Sequence, residues 1–208
     1  MEFSSIKYKW LNSLDNTFFK MIYIIDDFLK EDLYKTIDES LVNFKEVKMG
    51  NKSFWINKPT EAFVNYICLR LAIEENANIE NVLAFFRQST DKVDTDWRIH
   101  SDLKINGTQP DRAAIIYISP TKSKKLHGTA FWDHNKYGNK LPTDSTNKEY
   151  DRLLLEDAND KDKWTLRSVI GYKPNRLISY PCNYFHSKYP NKSWKEGRNI
   201  FVIFYKVK

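Results

Sequence analysis

From Asn81 onward the chain is built largely of short runs rich in Val, Ile, Phe and Tyr, separated by polar breaks at Ser89 to Thr95, Asn106 to Pro110, Pro120 to Lys125 and Lys173 to Asn175. They read as several short strands in succession without intervening helices. The pattern predicts an antiparallel double sheet or jelly roll, mainly β with flanking α. Before it, Phe19 to Phe28 reads as a strand. Glu31 to Leu41 follows with helical spacing through Leu33, Ile37 and Leu41. Pro59-Thr60-Glu61 opens a second helix, with Thr60 a candidate cap and Phe63, Ile67, Leu71 and Ile73 an apolar face. Both N-terminal helices are expected to buttress one side of the sheet.

At 208 residues the chain is long enough to bury a full core, and it is read as a single domain, 1–208, with supporting elements in 1–80 and the strand-rich core in 81–208. Within that core, His134 to Lys163 is dense in Asn, Asp, Lys and Tyr, with only Leu153-Leu154-Leu155 as an apolar anchor. Loops of that length are usually functional or disordered, so a lid over a site is expected there, with a surface insertion as the alternative.

Several function classes are disfavoured by composition. The N-terminal Met-Glu-Phe-Ser-Ser-Ile-Lys has no basic start leading into an apolar stretch, and no apolar run approaches the ~18 residues of a membrane span. Two cysteines, Cys68 and Cys182, make no disulfide framework, so a reducing cytoplasm is the simplest home, the host's if the gene is carried by a phage.

The chemistry is concentrated in four residues. In an extended segment, the two-residue period turns His100 and Asp102 of Trp97-Arg-Ile-His-Ser-Asp102 to one face, where they can grip one ion. His186 stands far along the chain, and twelve residues after it Arg198 heads the apolar run Asn199-Ile-Phe-Val-Ile-Phe-Tyr205. Two imidazoles and one carboxylate with open positions form the facial triad of non-haem Fe(II) oxygenases. A zinc hydrolase can use the same three ligands, but it has no need of an arginine in an apolar strand. On that strand Arg198 shares a face with Ile200, Val202 and Phe204, while Phe201, Ile203 and Tyr205 take the other. A guanidinium there is costly unless an anion meets it, and its fork suits a carboxylate. His127 and His134 are expected to be solvent-exposed, and Cys182 is a poor zinc ligand because no paired C-x-x-C exists.

The run Trp97 to Asp102, then Arg112-Ala-Ala-Ile-Ile-Tyr117-Ile-Ser, then Leu126-His-Gly128-Thr-Ala-Phe131-Trp132, resembles the strand succession of the 2-oxoglutarate and Fe(II)-dependent dioxygenase superfamily on its prolyl-4-hydroxylase-like side. Asn175-Arg-Leu-Ile-Ser-Tyr180-Pro-Cys-Asn-Tyr-Phe-His186-Ser resembles the distal-histidine strand of uncharacterised bacterial and phage members. The likeness covers residues 81 to 208, with an echo at Met21 to Leu29. It departs at His127, where a first Gly is usual, and in the strand from Asn81 to Gln88, which lacks a Tyr that several relatives carry.

The resemblance implies a double-stranded β-helix of the cupin-like jelly-roll type, with Fe(II) on His100, Asp102 and His186 and O2 as oxidant. It implies that 2-oxoglutarate is the co-substrate, its far carboxylate on Arg198 with Tyr117 as a second contact. The products implied are succinate, CO2 and a hydroxylated C–H carbon on a peptidyl or free amino acid. Asp102 occupies the position that halogenating relatives leave small, which favours hydroxylation. Trp132 is the candidate substrate contact if Ala130 and Trp132 face inward; otherwise it is core.

Positive charge is uneven. Residues 163–208 carry ten Lys or Arg against Glu196, a net +9, so the +6 total leaves −3 for residues 1–162. A solvated basic face is the plain explanation; nucleic acid, an anionic substrate or the 2-oxoglutarate dianion are the alternatives. A nucleobase dioxygenase would show a second arginine six residues after Arg198, where Phe204 stands, so nucleic acid is disfavoured. A jelly roll that binds without turnover is the non-enzymatic alternative.

Overall fold

The computed structural model describes residues 21–41, 43–49, 52–93, 96–105, 107–119, 127–192, 194–195 and 197–208. The N-terminal heptapeptide, the start of the predicted strand at Phe19 and the break from Pro120 to Lys125 lie outside them. Ten strands are described: β1 (Tyr23–Ile25), β2 (Lys45–Met49), β3 (Lys52–Asn57), β4 (Ile79–Ser89), β5 (Arg112–Ser119), β6 (Gly128–His134), β7 (Trp164–Gly171), β8 (Leu177–Pro181), β9 (His186–Tyr189) and β10 (Arg198–Val207). They form a seven-stranded sheet in the order β1-β8-β5-β10-β4-β3-β2 and a three-stranded sheet in the order β7-β6-β9. Every strand pairing is antiparallel.

The two sheets face each other over a core in which Ile115, Tyr117, Ile178, Tyr180, Ile200, Val202 and Phe204 of the large sheet meet Phe131 and Ile170 of the small one. Alternate residues of β10, Phe201, Ile203 and Tyr205, turn to the opposite side and pack with the helices α1 (Glu31–Ser40) and α2 (Glu61–Glu75). This is the two-face alternation read from the Arg198 strand, and it makes the molecule a jelly roll buttressed by N-terminal helices. Thr60 caps α2 by accepting from the Phe63 amide at 3.3 Å. Phe63, Ile67 and Leu71 are buried at intervals of four, whereas Ile73 is 74% exposed because it falls two positions on, on the opposite side of the helix.

Two expectations are corrected here, and one hairpin is added. Among the described residues the entry strand covers only Tyr23–Ile25. The hairpin β2–β3 extends the large sheet beyond β4, at residues to which the sequence pattern assigned nothing. The segment 134–163 is not a polar loop: it carries a capping-box helix α3 (Asn147–Arg152), a π-turn at Leu153–Asp157 and a 3-10 turn at Lys161–Lys163. Leu141 and Leu153 sink into a third cluster with Ile99, Leu103, Trp132, Trp164 and Phe185, on the outer face of the small sheet. The segment thus backs that sheet through Leu141 and Leu153.

Candidate metal centre and anion pocket

The ligand segment is not a regular strand. Arg98 has φ +45°, in the left-handed region, and only a single antiparallel bridge joins His100 to His186. What holds it extended is a set of backbone bonds to three different elements. The Ile99 amide donates to Ala158 O at 2.9 Å, His100 and His186 exchange amide bonds at 3.1 and 2.9 Å, and the Asp102 amide donates to Cys182 O at 2.7 Å. The Arg98 amide donates to the Asn159 side chain at 3.0 Å. The buttress segment thus supplies two of the bonds that position the ligands.

His100, Asp102 and His186 place one ligand atom each within 4.8 Å of one another, and they are the one such cluster among the described residues. His100 Nε2 lies 3.3 Å from one Asp102 oxygen and His186 Nε2 lies 3.2 Å from the other. Each ring is oriented from behind: His100 Nδ1 meets Arg98 O at 2.7 Å and His186 Nδ1 meets Tyr184 O at 3.1 Å. A carbonyl accepts only, so Nδ1 carries the proton and the Nε2 lone pair is aimed into the site, as a metal-binding histidine requires. Burial, followed by the charge of His186, pushes His100 below its usual range, favouring the neutral ligand form. Burial alone would raise Asp102, but its place between the two imidazoles outweighs this and holds it well below the usual carboxylate range, so it is the anionic member of the set. The donor set and its orientation fit a divalent ion.

The same cavity is lined by His100, Asp102, His186, Thr129 and Arg198. Arg198 is 3% exposed, and no carboxylate among the described residues pairs with it. Its Nη2 donates to Thr129 Oγ1 at 3.3 Å, its Nε has no hydrogen-bond partner, and burial lowers its pKa from the usual arginine value. The Tyr117 hydroxyl shares Thr129 Oγ1 at 2.7 Å, and the Tyr117 ring lies 5.4 Å from the Arg198 guanidinium. Tyr117 therefore stands beside Arg198, stacked on Tyr172 at 4.5 Å.

Trp132 is placed differently from its candidate role. Thr129 and Phe131 face the interior, so Ala130 and Trp132 fall on the outer face, where the Trp132 indole donates to Ser187 at 2.9 Å. Trp132 is core, and it does not line the cavity. His127 and His134 are also corrected, being 8% and 4% exposed. His127 packs on Trp194 at 4.6 Å, and His134 bonds Asp157 at 3.2 Å beneath the buttress, far from any ligand role. Cys182 is buried, and its thiol is pushed up by desolvation. The sequence reading missed Thr129, Arg87, Arg98 and Lys188, all of which line the cavity. Inverting the strand parity of Gly128 to Trp132 would have found the first. Gly128 itself cannot be replaced, because a Cβ there would stand 1.9 Å from Ile170 O.

No family model and no curated protein matches the sequence. Solved structures do match the fold. HygX from Streptomyces hygroscopicus, solved with nickel and 2-oxoglutarate bound, aligns at a TM-score of 0.59 and 11% identity over 94% of this chain and 88% of its own. The non-haem alpha-ketoglutarate-dependent carbocyclase SnoK of nogalamycin biosynthesis aligns at 0.55 and 12% identity, over 90% and 81%. A 2OG-Fe(II) oxygenase family oxidoreductase from Burkholderia pseudomallei aligns at 0.54 and 9% identity, over 90% and 86%. At these identities the likeness establishes the jelly-roll fold, and it sets the chain no nearer to prolyl hydroxylases than to other proteins of that fold.

Proposed function

We propose that this protein is a 2-oxoglutarate- and Fe(II)-dependent oxygenase that hydroxylates a C–H bond. The observation that carries the reading is the coexistence, in one cavity, of a His-Asp-His triad and a buried Arg198 that no carboxylate neutralises among the described residues. A buried guanidinium left without a counter-anion costs several kcal/mol (~3–5) when its partner is removed, so its retention implies an anion that arrives with the ligand. HygX, solved with nickel and 2-oxoglutarate, shows that this fold accommodates that pair of ligands in another protein.

His100, Asp102 and His186 would hold Fe(II), which when bound with 2-oxoglutarate and O2 supplies the oxidising power for the C–H bond while succinate and CO2 leave. Arg198 would take the far carboxylate of 2-oxoglutarate on its guanidinium, whose Nε has no partner, with Tyr117 acting through Thr129 to hold the group in place. Phe131 and Tyr180, with ring centroids 6.5 and 4.7 Å from the His186 ring, keep water from that side of the triad. Asp102 fills the anionic position of the triad, which favours hydroxylation. An amino acid or peptidyl residue is the substrate suggested by the sequence resemblance. The test is succinate release from 2-oxoglutarate that requires both Fe(II) and O2 and disappears in Asp102→Ala. Turnover independent of O2, or retained in that variant, would refute the reading.

A further inference from the structure

Arg198 keeps its charge at 3% exposure with few polar contacts: its Nε has no hydrogen-bond partner, and its Nη2 meets the neutral Thr129 hydroxyl at 3.3 Å. A buried guanidinium in that state needs something to offset its lost hydration before any anion arrives. Two aromatic rings lie within cation–π range of it. The guanidinium carbon stands 5.4 Å from the ring centroid of Tyr117 and 5.6 Å from that of Trp194. A ring face attracts a cation through its quadrupole, and unlike a carboxylate it takes up none of the N–H donors in the guanidinium plane.

Trp194 is brought to Arg198 by the turn between β9 and β10. Its indole N–H donates to Pro190 O at 3.2 Å, and its carbonyl accepts the Gly197 amide at 3.1 Å. Gly197 has φ +83°, in the left-handed region, which a residue with a side chain adopts only under strain. That position turns the chain into β10 and folds the indole back onto the strand's first residue. The indole is 3% exposed and packs against His127 at 4.6 Å and Tyr172 at 5.4 Å. Tyr172 also stacks on Tyr117 at 4.5 Å, so the two rings beside the guanidinium are joined through a third. None of these three rings lines the cavity, whereas Arg198 does. Their influence on a bound anion must therefore pass through the arginine.

We propose that Trp194 is a positioning residue for the anion pocket: with Tyr117 and Tyr172 it fixes the Arg198 guanidinium without occupying its donors, so that an arriving carboxylate meets N–H groups already oriented. The link to 2-oxoglutarate rests on the oxygenase reading; the hold of Trp194 on Arg198 does not.

The test uses the full chain loaded with zinc(II), which is redox-inert and diamagnetic, so that no turnover intervenes. Nitrogen-15 NMR reads the Arg198 Nε–H resonance, identified by its loss in Arg198→Ala. Trp194→Leu should displace this resonance, and Trp194→Phe, which keeps a ring face, should displace it less. By calorimetry Trp194→Leu should weaken 2-oxoglutarate about ten-fold and Trp194→Phe less than about three-fold, with zinc affinity unchanged in both. In an Arg198→Ala background Trp194→Leu should cost nothing further, which separates a hold on the arginine from general packing. Far-UV circular dichroism checks that the leucine variant folds. If it does not, replacing tryptophan throughout by fluorotryptophan weakens the negative ring face at nearly constant shape, and should lower 2-oxoglutarate affinity about two-fold in the wild type but not in Trp194→Phe. The proposal is overturned if the Arg198 resonance is indifferent to Trp194→Leu, if neither the leucine variant nor fluorination weakens 2-oxoglutarate, or if the loss is equally large without Arg198. If the wild type binds no 2-oxoglutarate while the resonance still depends on Trp194, the oxygenase reading falls and the positioning role stands.

Discussion

His100 and His186 are opposite members of a one-residue antiparallel bridge, each donating its backbone amide to the other's carbonyl, at 3.1 and 2.9 Å. The main chain thus fixes the separation of the two backbones, and the Nδ1 contacts to Arg98 O and Tyr184 O orient the rings, whose centroids lie 4.5 Å apart. His100→Ala or His186→Ala should therefore leave the fold largely intact while weakening divalent-metal binding by more than about a hundred-fold, since even outer-shell changes cost ten- to hundred-fold. Asp102→Gly keeps both imidazoles and should retain some metal. Calorimetry with Fe(II) under anaerobic conditions reads all of these, and equal affinity across the alanine variants would refute the triad.

Arg198→Ala should weaken 2-oxoglutarate by roughly ten- to hundred-fold, the loss of about 1.5–3 kcal/mol expected for a charge-assisted contact, and leave metal affinity unchanged. Thr129→Ala and Tyr117→Phe should each give a smaller loss, because they act on the orientation of the guanidinium through shared hydrogen bonds. An unchanged 2-oxoglutarate constant in Arg198→Ala would mean that the arginine is structural.

His134 ties stability to pH. Its Nδ1 lies 3.1 Å from the Lys136 amide, which can only donate, so the neutral ring carries its proton on Nε2 and gives it to Asp157. Burial holds its pKa below the usual histidine range, despite the pull of Asp157. The unfolded chain then binds the proton first, and stability should fall as pH drops below the free-histidine value of about 6.5 towards the folded pKa. His134→Gln should be less stable at neutral pH yet show a shallower decline through that window, measured by urea unfolding between pH 7 and 5. An equally steep decline would remove His134 from the account.

Leu153 is 4% exposed in the cluster that backs Ile99, and the Ala158 carbonyl a turn further on receives the Ile99 amide. Leu153→Ala should cost about 2–5 kcal/mol by thermal or urea unfolding and reduce metal affinity as well, because the ligand segment loses its backing. A variant of full stability would restore the segment to the status of a dispensable insertion.

The sequence made the core and the triad legible for one physical reason: both follow period-two alternation or fixed residue chemistry. The alternation of β10 gives Arg198 its neighbours Ile200, Val202 and Phe204 on the cavity side. The same rule failed at Trp132, because alternation says which residues share a face but not which face is inward, and choosing the wrong parity exchanges Thr129 for Ala130. His134 and Leu153 were hidden by a polar composition whose few apolar residues are spaced for turns of helix rather than for strands. That Arg87, Arg98 and Lys188 line the same cavity could not be read at all, since the register of β4 on β10 and of His100 on His186 is what brings them to it.

The central claim is that the triad and Arg198 together bind a metal chelate of 2-oxoglutarate. Anaerobic addition of 2-oxoglutarate to the Fe(II)-loaded protein tests it most directly. The account predicts a visible charge-transfer absorption that saturates at one equivalent per chain, is absent in His186→Ala and requires a roughly ten- to hundred-fold higher co-substrate concentration in Arg198→Ala. An Fe(II)-loaded protein that gives no such band at any 2-oxoglutarate concentration would contradict it.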